Sequence, residues 1–253
     1  MSNKKALLLF TNSPVRETFI KNVFSNKNVN ESLIRAFLNN VVNSITQAQK
    51  KLGFDFIIAT DKATSENLQK SNTLNQIPYN RLIPFYGNSF GDRFTKSISD
   101  VFSLGYEHII VVGNDCPDIT SSLIVKSFNQ LEEGKTVVGP SADGGFYLLG
   151  LRYFEKKFFN NIEWNTAKVF SQLIRNLSGE NENAHFLQTL TDIDDQKSLT
   201  EWLKLRTGAS KLINNIIIRL STIPSLCSLV TPPFNKEVYL AKRAVQKSPP
   251  VKY

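Results

Sequence analysis

Short apolar runs alternate with longer amphipathic stretches along most of the chain, and the two periods predict different elements. Residues 6–10 are apolar without a break, as in a strand buried on both faces of a sheet. From Asn30, the positions Leu33, Ile34, Phe37, Leu38, Val41, Ile45, Ala48 and Leu52 recur at helical spacing, which predicts a long helix ended by Gly53. Further strands are expected at 54–59, 81–86, 108–112, 136–138, 146–151 and 186–190. Helices are expected at 90–104, at 120–131 with Thr120 as cap, at 166–177 and at 196–205. Residues 61–79 are polar and turn-rich, with room for one short helix. Strands alternating with helices imply βαβ units, hence an α/β fold: three layers, α/β/α, around a mostly parallel sheet. A body over residues 1–206 is expected, followed at 207–253 by a helix over 212–220 and an irregular tail marked by Pro232-Pro233 and Pro249-Pro250.

Charge changes this picture only at the end of the chain. The net charge is +8 over 253 residues. From Met1 to Leu203 there are 21 Lys/Arg and 21 Asp/Glu, whereas from Lys204 onward nine basic residues face only Glu237. The body therefore carries no nucleic-acid footprint, and no specific nucleic acid is expected as a partner. The basic tail suits either a solvated end or contact with phosphates or an anionic membrane surface. Cys116 and Cys227 have no metal-ligand spacing and are too few for a disulfide framework, although one bridge between them stays open. The apolar stretch at 6–10 is shorter than the core of a signal peptide and no run approaches a membrane span, so a cytoplasmic location is expected.

Two strand ends carry the candidate chemistry. The strand 108–112 runs into Gly113-Asn114-Asp115-Cys116-Pro117-Asp118. In open α/β sheets, ligands bind beyond the carboxyl ends of the strands. Gly113 lets a ligand approach the backbone, Pro117 stiffens the turn, and Asp115 is placed to hold a hard divalent cation that bridges to phosphate oxygens. Asp118 suits the turn and the start of the following helix. The second strand end reads Gly139-Pro140-Ser141-Ala142-Asp143-Gly144-Gly145. An acid followed by two glycines is an ordinary hairpin turn when alone; after the Asp115 loop it reads as the opposite wall of one pocket. Asp192 and Asp194 suit capping of the following helix or a second acid for the metal. Trp164 reads as a packing anchor, and His108 and His185 as structural.

These motifs occur in an order that carries a resemblance. Phe90-Gly91-Asp92-Arg93-Phe94, Asn114-Asp115-Cys116-Pro117-Asp118, Gly139-Pro140 through Asp143-Gly144-Gly145-Phe146-Tyr147, Trp164-Asn165-Thr166 and Asp192-Ile193-Asp194 follow one another. The chain resembles a bacterial family of transferases with a glycosyltransferase-A-type, nucleotide-diphospho-sugar transferase fold, often described as radical-SAM/selenodomain-associated transferases. The resemblance implies a nucleotide or nucleotide-sugar site, with Mg²⁺ or Mn²⁺ on Asp115, Asp143 as the catalytic acid across the pocket, and Arg93, Gly113, Asn114, Gly144 and Gly145 around the nucleotide. It names no acceptor. One departure stands out. The family follows its first strand with a loop holding Gly and a Lys-Thr-Arg group, whereas residues 11–21 read ThrAsnSerProValArgGluThrPheIleLys and no glycine precedes Gly53. Such a loop exposes fewer backbone N–H groups to an anion, and Glu17 opposes the charge that Arg16 and Lys21 supply. Two functions follow. One is a metal-dependent glycosyl or nucleotidyl transferase; the other is a catalytically silent binding protein with a degenerate phosphate loop. Where the loop puts Arg16 and Lys21 discriminates between them.

Overall fold

The computed structural model describes residues 4–61, 78–178 and 183–204. The expected features at 62–77, the helix at 212–220, the tail, Cys227 and the boundary at 206/207 lie outside these residues. The chain divides into two compact units, Met1–Leu199 and Thr200–Tyr253. Among the described residues, no helix is long and apolar enough to cross a membrane.

The first unit is built on a seven-stranded sheet. Its strands are β1 (Lys5–Phe10), β2 (Asp55–Asp61), β3 (Arg81–Phe85), β4 (His108–Val112), β5 (Thr136–Pro140), β6 (Phe146–Leu151) and β7 (Ala184–Phe186), in the spatial order β3-β2-β1-β4-β6-β5-β7. β6 is antiparallel to both of its neighbours, and every other pairing is parallel. The central strands are buried on both faces, as their unbroken apolar runs require. The seventh strand is shorter and earlier than the expected 186–190. Its residues pair with β5 only as far as Phe186, after which the chain leaves the ladder and returns at Leu190 through a single bridge to Ser141.

Helices cover both faces. They are α1 (Pro14–Glu17), α2 (Lys27–Leu52), α3 (Phe90–Ser103), α4 (Ser121–Glu132), α5 (Val169–Ser178) and α6 (Gln196–Lys204). α2 begins three residues earlier than its apolar pattern suggests, because the Asn26 side chain accepts from the N–H groups of Asn28 and Val29 and caps it there. Its apolar stripe packs with α4 on one side of the sheet, where Phe54 and Phe128 stack at 4.8 Å. The other face is covered by α3, α5 and a 3₁₀ turn at Lys156–Phe159. Here Phe90, Phe94, Phe146, Phe159 and Trp164 form one aromatic cluster, so Trp164 is a packing anchor. A Cβ on Gly91 would lie 2.2 Å from the Trp164 Nε1, so that glycine is what lets the indole reach α3. α3 starts with a capping box between Ser89 and Asp92, and Thr120 caps α4 as expected.

Candidate functional site

At the carboxyl ends of the parallel strands, three segments converge: the loop after β1, the loop after β4 and the turn between β5 and β6. β6 runs against its neighbours, so the turn at 141–145 opens at the same end of the sheet as Asp115. A fourth segment, 190–195, laces the others together. Leu190 donates to the Pro140 carbonyl, Ala142 donates to the Leu190 carbonyl, and the Ile193 N–H donates to the Asp115 carbonyl at 3.0 Å. Asn22 forms a parallel bridge with Asp195. Asp192 and Asp194 are thereby carried into the site, while Asp195 does the work at the start of α6 by accepting from the Ser198 N–H at 2.7 Å. The capping that the sequence left open to Asp192 and Asp194 thus falls to Asp195, and the Asp194 side chain pairs with Lys21 instead.

The loop after β1 folds into a compact turn instead of an open anion cradle. Ser13 caps α1, Pro14 occupies its first turn, and the N–H groups of Phe19, Ile20 and Lys21 donate back to the carbonyls of Arg16 and Glu17. Glu17 points inward, buried, and accepts from the Asn12 amide at 2.7 Å. The Asn30 amide, on α2, donates to the Lys21 carbonyl at 2.6 Å and fixes where the turn ends. Lys21 then reaches across the site. Its Nζ lies 2.6 Å from Asp115 Oδ2 and 2.7 Å from Asp194 Oδ1, with only 11% of the side chain exposed. Arg16 goes elsewhere, to Asp61 at the end of β2 at 3.6 Å.

This geometry sets the electrostatics. Burial works against a charge on Lys21, but Asp115, Asp194 and Glu17 overcome it and hold its pKa above the ordinary lysine value. Burial likewise opposes charge on Asp115, and the ammonium of Lys21 outweighs it, keeping this carboxyl below the usual range. Asp194 is raised by burial, against the pull of Lys21. Asp192 is raised well above the carboxylate range by burial first, then by Asp115 and Asp143. Its Oδ1 is buried with no hydrogen-bond partner. Asp143 is exposed at the turn; its Oδ1 accepts from Ser141 Oγ at 2.5 Å and from the Gly145 N–H at 2.9 Å. Lys21 is therefore the cation of this cluster of carboxylates, and Asp192 and Asp194 each sense both Asp115 and Asp143.

The glycines have local reasons for their presence. A Cβ on Gly113 would lie 2.7 Å from Asp115 Oδ1, so the bare backbone lets this carboxylate fold back over the end of β4. Gly144 has φ +92°, and a Cβ there would lie 2.2 Å from the Ala167 carbonyl oxygen. At Gly145 the added atom would meet Ser141 Oγ at 3.0 Å. Asn114 is buried beside Asp115. Arg93 is not part of the cluster: its guanidinium donates to the Gly87 carbonyl at 3.4 Å and lies over the Phe85 ring. A groove of about 580 Å³ runs along α3, lined by Tyr86, Lys96, Lys156 and Trp164 among others, and contains none of the four carboxylates. Sequence reasoning missed Ser141, for which no nucleophile motif exists; its signal was the two-residue step to Asp143. Among the described residues, no three His, Cys, Asp or Glu side chains are arranged as a ready metal cage.

The order of strands, with its single reversed strand and its loops converging at one end, defines the class: a nucleotide-diphospho-sugar transferase fold. Within that class, residues 44–166 match the model of the family described as "Uncharacterized protein conserved in bacteria (DUF2064)", in agreement with the resemblance carried by the motifs. The crystal structure of a candidate nucleotide-diphospho-sugar transferase from Desulfovibrio desulfuricans G20 superimposes with a TM-score of 0.72 at 21% identity, over 91% of this chain and 97% of that one. A 4-diphosphocytidyl-2C-methyl-D-erythritol synthase from Anaerococcus prevotii DSM 20548 superimposes with a TM-score of 0.52 at 13% identity, over 80% and 96%. No curated protein matches the sequence.

Proposed function

We propose that this chain is a transferase acting on a nucleotide-sugar or a nucleoside triphosphate, moving a glycosyl or a nucleotidyl group to an acceptor at the Asp115–Asp143 cleft. The observation that carries the reading is Lys21. The loop after β1, despite its bulk and lack of glycine, delivers a buried ammonium to Asp115 at the end of the sheet where this fold class binds ligands. A loop that had merely lost its function has no need to hold Lys21 there through Asn30 and Glu17.

The donor set suits Mg²⁺ or Mn²⁺. Hard cations of this size take one or two carboxylates from the protein and the remaining oxygens from water and substrate phosphates, so no closed cage is required. Asp115 and Asp194 would hold the ion, which would neutralise charge developing on the diphosphate. The protein's own groups supply the rest. Lys21 exchanges its carboxylate partners for phosphate oxygens as a substrate enters. Asp143, fixed by Ser141 and Gly145, orients an acceptor hydroxyl, and Asp192, close enough to feel its charge, is a carboxyl that burial helps to keep protonated. Positioning and charge stabilisation dominate such transfers. Gly113, Asn114, Gly144 and Gly145 line the nucleotide side in this reading, and Arg93 acts by shaping the loop after β3. The alternative is a binding protein without catalysis, favoured by the bulk of Val15, Phe19 and Ile20 where an anion cradle is expected.

The test is metal-linked affinity. Asp115→Asn removes ligand charge and keeps shape, so nucleotide-sugar binding by calorimetry falls at least tenfold in Mn²⁺ and little in EDTA. Equal affinities for variant and wild type with metal present would remove Asp115 from the site.

A further inference from the structure

The folded turn that delivers Lys21 has a second face. Val15, Phe19 and Ile20 are 49%, 71% and 63% exposed, three of the six large apolar side chains that stand out among the described residues. Three within six positions form a patch, whereas scattered ones need no account. The backbone under the patch is defined, since the N–H groups of Phe19 and Ile20 donate back into the turn. Its rim is basic. Lys27 Nζ lies 4.8 Å from the centre of the Phe19 ring, and Arg16, 56% exposed, shares its charge with Asp61, whose side chain is only 10% exposed. The sole acid between Thr11 and Asn30 is Glu17, and it is buried.

An apolar tip with a basic rim calls for an occupant that is apolar and negatively charged. The chain's own tail does not qualify, because it carries nine basic residues and one acid from Lys204 onward. A second copy meeting the first patch to patch does not qualify either, since basic rim would face basic rim. We infer that this turn docks on an anionic lipid surface. Phe19 and Ile20 enter the headgroup–acyl boundary, and Lys27, with Arg16 released from Asp61, meets lipid phosphates. This inference stands on the patch and does not depend on the transferase reading; joined to it, the site would open beside the membrane and accept a lipid-borne acceptor.

The experiment is vesicle flotation with the full chain. Wild type floats with phosphatidylglycerol-containing phosphatidylcholine vesicles, and at least tenfold less with pure phosphatidylcholine. The double variant Phe19→Ser/Ile20→Ser, which alters only exposed positions and keeps the wild-type Tm, loses at least tenfold in binding to the anionic vesicles. Lys27→Glu loses severalfold. Failure of wild type to float, or equal flotation of the double variant, overturns the inference, the second outcome by assigning any binding to the tail alone. A wild-type dimer in light scattering that the double variant dissolves also overturns it, in favour of a second copy. None of these outcomes bears on metal-linked nucleotide affinity at Asp115.

Discussion

Replacing Lys21 with Met removes a cation and leaves an apolar stem of similar length among Asp115, Asp194 and Asp192. The lost contacts are those at 2.6 Å to Asp115 and 2.7 Å to Asp194. Asp194 is half exposed, so its share is screened and small. The Asp115 pair is mostly buried, and removing one partner of such a pair costs about 3–5 kcal/mol because the other charge is left uncompensated. We place the loss near the lower end, about 3 kcal/mol, since Asp115 retains some access to water. The same figure sets the expected gain in metal binding. In wild type a divalent ion must first displace the ammonium, whereas in the variant the carboxylates are already free. A cost of about 3 kcal/mol corresponds to roughly two orders of magnitude in affinity. Mn²⁺ binding, followed by electron paramagnetic resonance, should therefore be at least tenfold tighter in Lys21→Met. Urea unfolding supplies the second readout: the variant is destabilised in EDTA and regains about 2.7 kcal/mol when free Mn²⁺ reaches a hundred times its Kd. Lys21→Arg, which keeps the charge, behaves like wild type in metal binding. Mn²⁺ that binds the Met variant no tighter than wild type would refute the argument that Lys21 holds the cation position.

Three further outcomes follow from other parts of the molecule. Gly144→Ala forces a side chain onto φ +92° and against the Ala167 carbonyl, so it should cost about 2–4 kcal/mol in urea unfolding, read as a fall in midpoint at constant slope. Burial pushes His108 below its ordinary pKa, so the unfolded chain takes up that proton first; stability should fall as pH drops through about 6.5, and His108→Gln should flatten this slope. Nucleoside triphosphates should bind with dissociation constants no better than about millimolar, because the turn at 11–21 offers no row of free N–H groups to phosphates; micromolar affinity by calorimetry would contradict that.

The sheet was legible because its strands are apolar without interruption, and the long helices because their stripes are regular. What the pattern could not show was direction. Nothing in the residues of β6 announces that it runs antiparallel, yet that reversal brings Asp143 to the end of the sheet where Asp115 lies. Asp115 and Asp143 were readable from strand ends followed by glycine and acid. For Asp192 and Asp194 the sequence left capping and a second acid both open, and it took the bridge at Leu190 and the bond from Ile193 to Asp115 to place them beside Asp115. The glycine-free loop misled in a different way. Glu17 looked like a repulsive charge at the phosphates, but the Asn12 amide and Lys21 hold it inside the turn, where it helps to keep the lysine charged. Arg93 matched a motif and sits against Gly87 and Phe85, a reminder that spacing along a chain does not fix where a long side chain ends.

The two walls of the proposed site differ in how they are built. The turn at 141–145 joins two strands laddered to each other without an intervening helix, and Leu190 and Ala167 pin it from outside. The wall at 11–30 rests on local turn bonds, the Asn12–Glu17 pair and the Asn30 amide. The two segments should therefore answer differently to substitution. A change at 141–145 strains the strand ladder itself, whereas a change at 11–30 is confined to a turn and the cap beside it, so the scaffold tolerates variation in this segment that it does not tolerate in the other.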